Sequence, residues 1–457
     1  MLQSGVPARS GLFDVLRHRA FRLIWAGALL SNVGNWMEAV AQSWLVQQQT
    51  ASPFMVELLA AAEFVPSALL MLAAGALADR YDRRKLLLWG QGAMMVFGLL
   101  LAVLAHLGLA TPWVIVAIAF AEGAAWASVT PAWQALVPAL VPREELPSAI
   151  ALNSAQFNTA RLLGPMLAGT LLATVGAAVV FDLNALSFVG ILFVLFIVRI
   201  PAAPLAEAKT SGGELSASGG IKKAVQWALH ERGPRRLILG LFAFGLLAAP
   251  VQGLLPTMAD EVLKVGAHGY GVLLSCLGAG AITGALTLAR LPRSYPRHHL
   301  IPLSMLGFAL CALIYGASRW WLLSGAALAV GGVFWVWSLA SSSTAMQLLV
   351  PEELRGRAMS VSALATTGPL PLGHLLGGTL AHVFGVRAGI CAPILLLAIF
   401  AAWSAWKREP GIDAMERRGL HIRGLKALAW EALTAASHRA QEVEPGTPGG
   451  GGEPIEE

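Results

Sequence analysis

The chain has 457 residues, 56% hydrophobic and 13% charged, with a formal net charge of +6. A soluble domain carries about 25% charged residues, so the composition excludes an ordinary soluble enzyme or binding module. Basic loops at the cytoplasmic face of a membrane account for the positive balance without nucleic acid.

The apolar residues come in runs of about 18–27, each long enough for a helix to cross a ~30 Å hydrocarbon core. They lack the alternation of a membrane barrel. Residues 1–20 carry Arg9, Arg17 and Arg19, with Arg22 just beyond and no small-residue cleavage site, so they read as a cytoplasmic N-terminus rather than a signal peptide. Twelve spans follow, near 21–46, 53–78, 86–107, 112–138, 147–175, 178–199, 237–263, 269–290, 299–317, 320–348, 356–384 and 387–406. They define an N-terminal six-helix bundle (21–200), a cytoplasmic linker (201–236), a C-terminal six-helix bundle (237–406) and a cytoplasmic tail (407–457). In the linker, Lys209–Gly220 reads as flexible and Ile221–His230 as a helix lying on the membrane surface. In the tail, Ile422, Leu425, Trp430 and Leu433 can share an apolar helix face before a disordered Gly-Pro-Glu end. Cys276, Cys311 and Cys391 fall inside apolar runs and read as small core residues, not as metal ligands or a disulfide framework.

With the N-terminus inside, 28 of the 32 Lys and Arg residues lie in cytoplasmic segments, so both termini are expected in the cytoplasm. An internal repeat accompanies this order. At an offset of 209, Leu140-Val141-Pro142 falls on Leu349-Val350-Pro351, Gly164 on Gly373, Gly169 on Gly378 and Gly176 on Gly385, while Gly75-Ala76-Leu77 falls on Gly284-Ala285-Leu286. The halves therefore read as parallel repeats, an arrangement that puts a substrate site between them near mid-membrane.

The segment Gly75–Lys85 reads GALADRYDRRK. Gly75 permits close helix approach, and Asp79 lies where the N-terminal dipole of the eleventh span can attract it. Asp79 and Arg83 are four residues apart, close enough to share a helix face. Gly75, Asp79, Arg80, Arg83 and Arg84 are thus a candidate gate, the plainer reading being a basic cluster that only fixes topology. With its Gly-x-Leu-x-Asp-Arg-x-x-Arg-Arg pattern, the segment resembles the signature of the major facilitator superfamily, though Asp82 stands where that signature has glycine. Ser43-Trp44-Leu45-Val46, Phe64-Val65-Pro66, Asn184-Ala185-Leu186-Ser187-Phe188, Gly269-Tyr270-Gly271 and Arg355-Gly356-Arg357-Ala358 resemble the enterobactin-exporter branch of its proton-driven efflux carriers. Gly164, Pro165 and Gly169 resemble the fifth-helix motif of its antiporters, which implies export; an ordinary helix kink is the alternative.

Ionisable groups inside spans are costly and each is a site candidate. Glu122 and Arg161 lie at similar depth in adjacent spans, as a structural ion pair or as coupling groups. Glu38 is a proton-loading candidate on a helix that the resemblance places at the cavity, or a solvated residue near its mouth. Glu63 either couples protons or packs on a neighbour, while Glu57 and Asp182, near span ends, read as solvated. His374 has an ordinary pKa of about 6.5, suited to proton exchange, though a packing histidine is the plainer reading. Trp36, Trp126, Trp335 and Trp337 lie away from span ends. The resemblance makes their spans cavity-lining, suited to an amphipathic and even cationic substrate, with lipid-facing packing as the alternative.

No HExxH, GxSxG, P-loop or Cys-x-x-Cys pattern occurs. The expectation is an all-α inner-membrane protein of twelve transmembrane helices in two pseudo-symmetric bundles, and not an enzyme. It would act as a monomer with no cofactor and no metal, exporting a small amphipathic drug or siderophore in exchange for protons. A proton-coupled importer on the same fold is one alternative, and a scramblase or membrane scaffold is another.

Overall fold

A hydrocarbon interior offers no water to backbone amides, so each span must bond to itself. Every span expected from the sequence is helical in the computed structural model, which describes residues 13–80, 82–198, 226, 230–292, 297–350 and 355–406. Side-chain surroundings are described for these residues except 71–80, 232, 297–298 and 355–357. The linker's surface helix, the tail helix, and the side chains of Gly75, Asp79 and Arg80 lie outside the described residues.

The first half comprises α1 (Arg19–Thr50), α2 (Pro53–Arg80), α3 (Arg83–His106), α4 (Pro112–Ala139), α5 (Leu146–Thr174) and α6 (Ala177–Ile197). The second comprises α7 (Arg232–Gly253), α8 (Gly266–Arg290), α9 (Arg297–Ala317), α10 (Trp321–Leu349), α11 and α12 (Val386–Trp406). Helix α7 continues through Leu255–Thr257 into a π-helical turn, Met258–Val262. Helix α11 was expected as one continuous span, but it comes in two pieces, Arg355–Thr367 and Leu370–Phe384. The reason is Pro369, which lacks an amide hydrogen and cannot continue the helix. The break nests on α7, where a Cβ on Gly245 would lie 2.3 Å from the Thr366 carbonyl oxygen and 3.0 Å from Pro369.

Nine of the described helices are long and apolar enough to cross a membrane. The three that fall short are α1, α5 and α11. Polar residues interrupt the first two, including Asn35, Glu38 and Gln42 in α1 and Gln156, Asn158 and Arg161 in α5. Helices α1 and α5 pack on each other, where a polar side chain can find a partner.

The sequence repeat is also a packing repeat. Helix α1 packs on α5 and α6, and α7 packs on α11 and α12; α2 and α3 pack on α4 as α8 and α9 pack on α10. Two large seams join the halves, α5 against α8 and α2 against α11.

Candidate functional site

The halves meet most closely at the end of the molecule that carries the α1–α2 turn. On one seam, Gly169 of α5 faces Gly271 of α8 so closely that a Cβ on Gly271 would lie 2.9 Å from the Gly169 Cα and 2.3 Å from the Pro165 carbonyl oxygen. Backbone therefore rests on backbone, a contact only glycine permits. Ser275 of α8 donates to the Leu162 carbonyl at 2.8 Å, and Thr170 lies 3.4 Å from His268 at the exposed rim. Gly164 packs within its own half, against Trp36 and the Val33 carbonyl of α1. The antiporter-like residues are thus all at helix crossings, but on two different partners.

The opposite seam is built on the same plan with different chemistry. Gly373 packs on Leu246 of α7, and Gly378 packs across the seam on Phe54 and Glu57 of α2. Here His374 Nδ1 is hydrogen-bonded to Glu57 Oε2, with both residues buried, and Phe64 stacks on the imidazole at 5.9 Å. Glu57 had been expected in solvent because it lies near a span end. Instead it is completely buried, because the α11 glycines let α2 approach and cover it. Between the seams, Gln47 of α1 accepts from Thr257 Oγ1 at 2.7 Å and donates to Asp260 and Glu261 at 3.3 and 3.2 Å, which ties α1 to the π-helical turn. Trp44 stacks on Tyr270 at 6.0 Å beside it. These inter-half side-chain hydrogen bonds, with that of Ser275, lie in this half of the molecule or at its centre.

At the α2–α3 end, the described polar contacts stay within each half. Arg17 and His18 grip Glu145, and Trp25 donates to the Leu152 carbonyl. Arg84 donates to the carbonyls of Leu195 and Phe196, capping the C-terminus of α6. Asp82 accepts from the Lys85 amide at 3.0 Å and caps α3, which accounts for an acid where the resembling signature has glycine. Arg83 is half-buried beside it.

The centre of the first half holds a carboxyl cluster. Asn184 of α6 donates to Glu38, Gln42 donates to Glu122 at 3.0 Å, and the two glutamates adjoin. One oxygen of each, Glu38 Oε1 and Glu122 Oε1, is buried with no hydrogen-bond partner. Glu63 lies within electrostatic reach of Glu38, Glu122 and His374, and its own side chain is exposed. The expected Glu122–Arg161 pair does not form. The two were expected at similar depth, but Glu122 turns toward α1, where Gln42 meets it. Arg161 turns toward the second half, its guanidinium 5.7 Å from the Trp36 ring and 6.0 Å from the Trp335 ring.

The other tryptophans divide. Trp337 donates to the Gly284 carbonyl at 2.9 Å and to Thr287 at 3.2 Å, fastening α10 to α8. Trp126 borders a cavity of about 280 Å3 in the first half, lined also by Asn32, Gln91, Asn153, Gln156 and Phe157. Sequence reasoning missed Gln42, Gln47, Asn184 and Tyr270. The signal was present for α1, since Ser31, Asn35, Glu38 and Gln42 recur at the three- and four-residue spacing of one helix face. Among the described residues no group of His, Cys, Asp or Glu could hold a metal ion, and the three cysteines are free and half-buried.

Residues 10–422 match the family described as transmembrane secretion effectors. The chain belongs to this branch of the major facilitator superfamily. It is 30% identical over 402 residues to an enterobactin exporter of Shigella flexneri, covering 84% of this chain and 90% of the relative. It is 25% identical over 370 residues to a staphyloferrin A transporter of Staphylococcus aureus, covering 80% and 90%. In fold it is similar to a bacterial homologue of the human lysosomal transporter Spinster, with a TM-score of 0.65 at 13% identity over 89% of this chain and 98% of that one. A peptide transporter superposes comparably, at 0.66 and 13% over 87% and 95%. The protein is therefore a multi-pass membrane transporter of small molecules with the twelve-helix fold of this superfamily, and it performs transport rather than catalysis.

Proposed function

We propose that the protein exports a small amphipathic molecule of the siderophore kind across an inner membrane, by alternating access, in exchange for protons. The contact that carries this reading is Glu57–His374, a buried pair of titratable groups lying across the seam that must part for the α1–α2 end to open. Gain or loss of a proton there changes the stability of the seal itself. Glu63 lies within electrostatic reach of both His374 and Glu38, offering a relay between the seam and the centre of the first half. One proton held between the two unpartnered oxygens of Glu38 and Glu122 would satisfy both, whereas two adjoining carboxylates repel. The enterobactin exporter and the staphyloferrin A transporter among the relatives support the substrate kind and the outward direction.

Positive charge gathers at the α2–α3 end, so that end is cytoplasmic in this reading and both termini lie inside. The seam contacts then close the outer side, and cargo enters from the cytoplasm. In the return state, Gly75, Asp79, Arg80 and Arg83 close the inner side, with Arg84 held at the end of α6. The proton gradient is the energy source, no cofactor takes part, and the working unit is the monomer.

Inside-out vesicles containing the full chain test the reading, with enterobactin and staphyloferrin A as solutes. An acid-inside gradient should drive at least one of them to accumulate, and an uncoupler should abolish the gain. Accumulation indifferent to the uncoupler would sink proton coupling. Uptake confined to right-side-out vesicles would reverse the direction, and lipid flipping without solute movement would replace transport by scrambling. Asp79→Asn should express normally yet cycle at under about a tenth of the wild-type rate, since the dipole attraction it removes would hold only the inner-closed state.

A further inference from the structure

Arg161 is the anomaly of the interior. It lies near the middle of α5, and no described residue accepts a hydrogen bond from it or forms an ion pair with it; only the two indole rings face it. A cation at this depth is costly unless it meets a counter-charge or water. Its five N–H donors form a planar fork that matches a carboxylate or a paired phenolate. Trp36 belongs to the first half and Trp335 to the second, so the guanidinium sits where the halves meet. Trp335 is held by Phe244 and Phe308, each at 5.3 Å, and Trp36 packs edge-on to Phe157 at 6.3 Å.

Phe157 leads on to the neighbouring cavity, which it also lines. That cavity contains two buried amide atoms without a partner, Gln91 Oε1 and Gln156 Nε2, an acceptor and a donor with nothing to bond. Those two atoms are covered by protein, and neither Arg161 nor Trp36 nor Trp335 lines that cavity, so the site is the guanidinium with its two indoles. The aromatic surroundings alone fit a cationic solute. Because the rings already face the protein's own cation, a second positive charge would be repelled, and a neutral solute would leave Arg161 uncompensated.

We infer that Arg161, Trp36 and Trp335 bind an aryl-bearing anion. Its carboxylate or ionised phenol meets the guanidinium, and its ring lies against the indoles. The inference rests on the transport reading for its role as cargo site, but binding can be measured without transport.

Equilibrium dialysis of the purified full chain against radiolabelled salicylate and salicylamide separates charge from shape, since both carry the same phenol ring. Wild-type protein should bind salicylate at least tenfold more tightly, and inorganic chloride or phosphate at equal concentration should not displace it. Arg161→Gln should erase the preference while Arg161→Lys keeps part of it, and Trp335→Leu should weaken both probes. Equal binding of the two probes by wild-type protein would overturn the site without recourse to any variant. So would equal displacement by chloride, or an unchanged preference in Arg161→Gln. If vesicles export nothing but the salicylate preference stands, the transport reading fails and the site survives. If Arg161→Gln exports enterobactin at the wild-type rate, the site fails and the transport reading survives.

Discussion

The α5–α8 seam and the α2–α11 seam occupy equivalent places in the two repeats, and their glycines do equivalent work. Gly164 and Gly373 pack on the first helix of their own half, α1 and α7, while Gly169 and Gly378 pack across to the other half. The chemistry between those glycines differs. At the offset of 209, His374 corresponds to Pro165 and Glu57 to Gly266. One seam is backbone against backbone with a neutral hydrogen bond from Ser275, whereas the other encloses a titratable pair. Duplication thus supplied two crossings of the same shape, and substitution placed a buried pair of ionisable side chains in only one of them. The lesson is that internal symmetry conserves the close approach, which depends on small residues, and leaves free the polar groups that approach encloses.

Five variants test that contrast, and the largest effect is expected on the polar seam. His374→Ala leaves Glu57 buried without its partner and should cost about 3–5 kcal/mol, read as a fall in unfolding temperature of the detergent-solubilised protein. Glu57→Leu with His374→Leu should recover most of that stability and abolish proton dependence. A double variant as unstable as the single one would mean that packing, not the polar pair, holds this seam.

On the dry seam, Gly271→Val drives a side chain into the Pro165 carbonyl and the Gly169 backbone, neither of which can yield. The expected loss is about 1–3 kcal/mol, with the uncoupler response of the remaining transport unchanged. Next comes Ser275→Ala, which removes one neutral hydrogen bond to Leu162 and should cost about 1 kcal/mol. The smallest effect belongs to Thr170→Val at the exposed rim, where the 3.4 Å contact with His268 should be worth under ~0.5 kcal/mol. A large loss of proton dependence in either of the last two variants would extend titration to the α5–α8 seam and erase the contrast.

Much of the site was visible in part. The carboxylates Glu38 and Glu122 were legible because a charge in an apolar run has few innocent explanations. Their arrangement was not legible, because depth along a helix follows from residue number while direction around it depends on what packs there. Glu122 and Arg161 illustrate this, expected at similar depth and turned toward different neighbours. Glu57 failed for a related reason. Four residues into a span it looked solvated, and its partner His374 lies 317 positions away on a helix that only folding brings to it. Arg84 was assigned to a gate, and in this structure it caps the end of α6, a contact set by where α6 finishes rather than by the local pattern.

The sequence by itself determined twelve helices in two repeated halves, because a hydrocarbon solvent demands long apolar runs with internally bonded backbones and leaves few other folds open. It also determined where close crossings can occur, since glycine marks them directly. Tertiary structure alone decided which polar groups those crossings bring together: Glu57 with His374, Gln47 with the turn after α7, and Arg161 between two indoles. Such contacts depend on rotation about helix axes and on pairs far apart in the chain, and the packing of neighbouring side chains sets both.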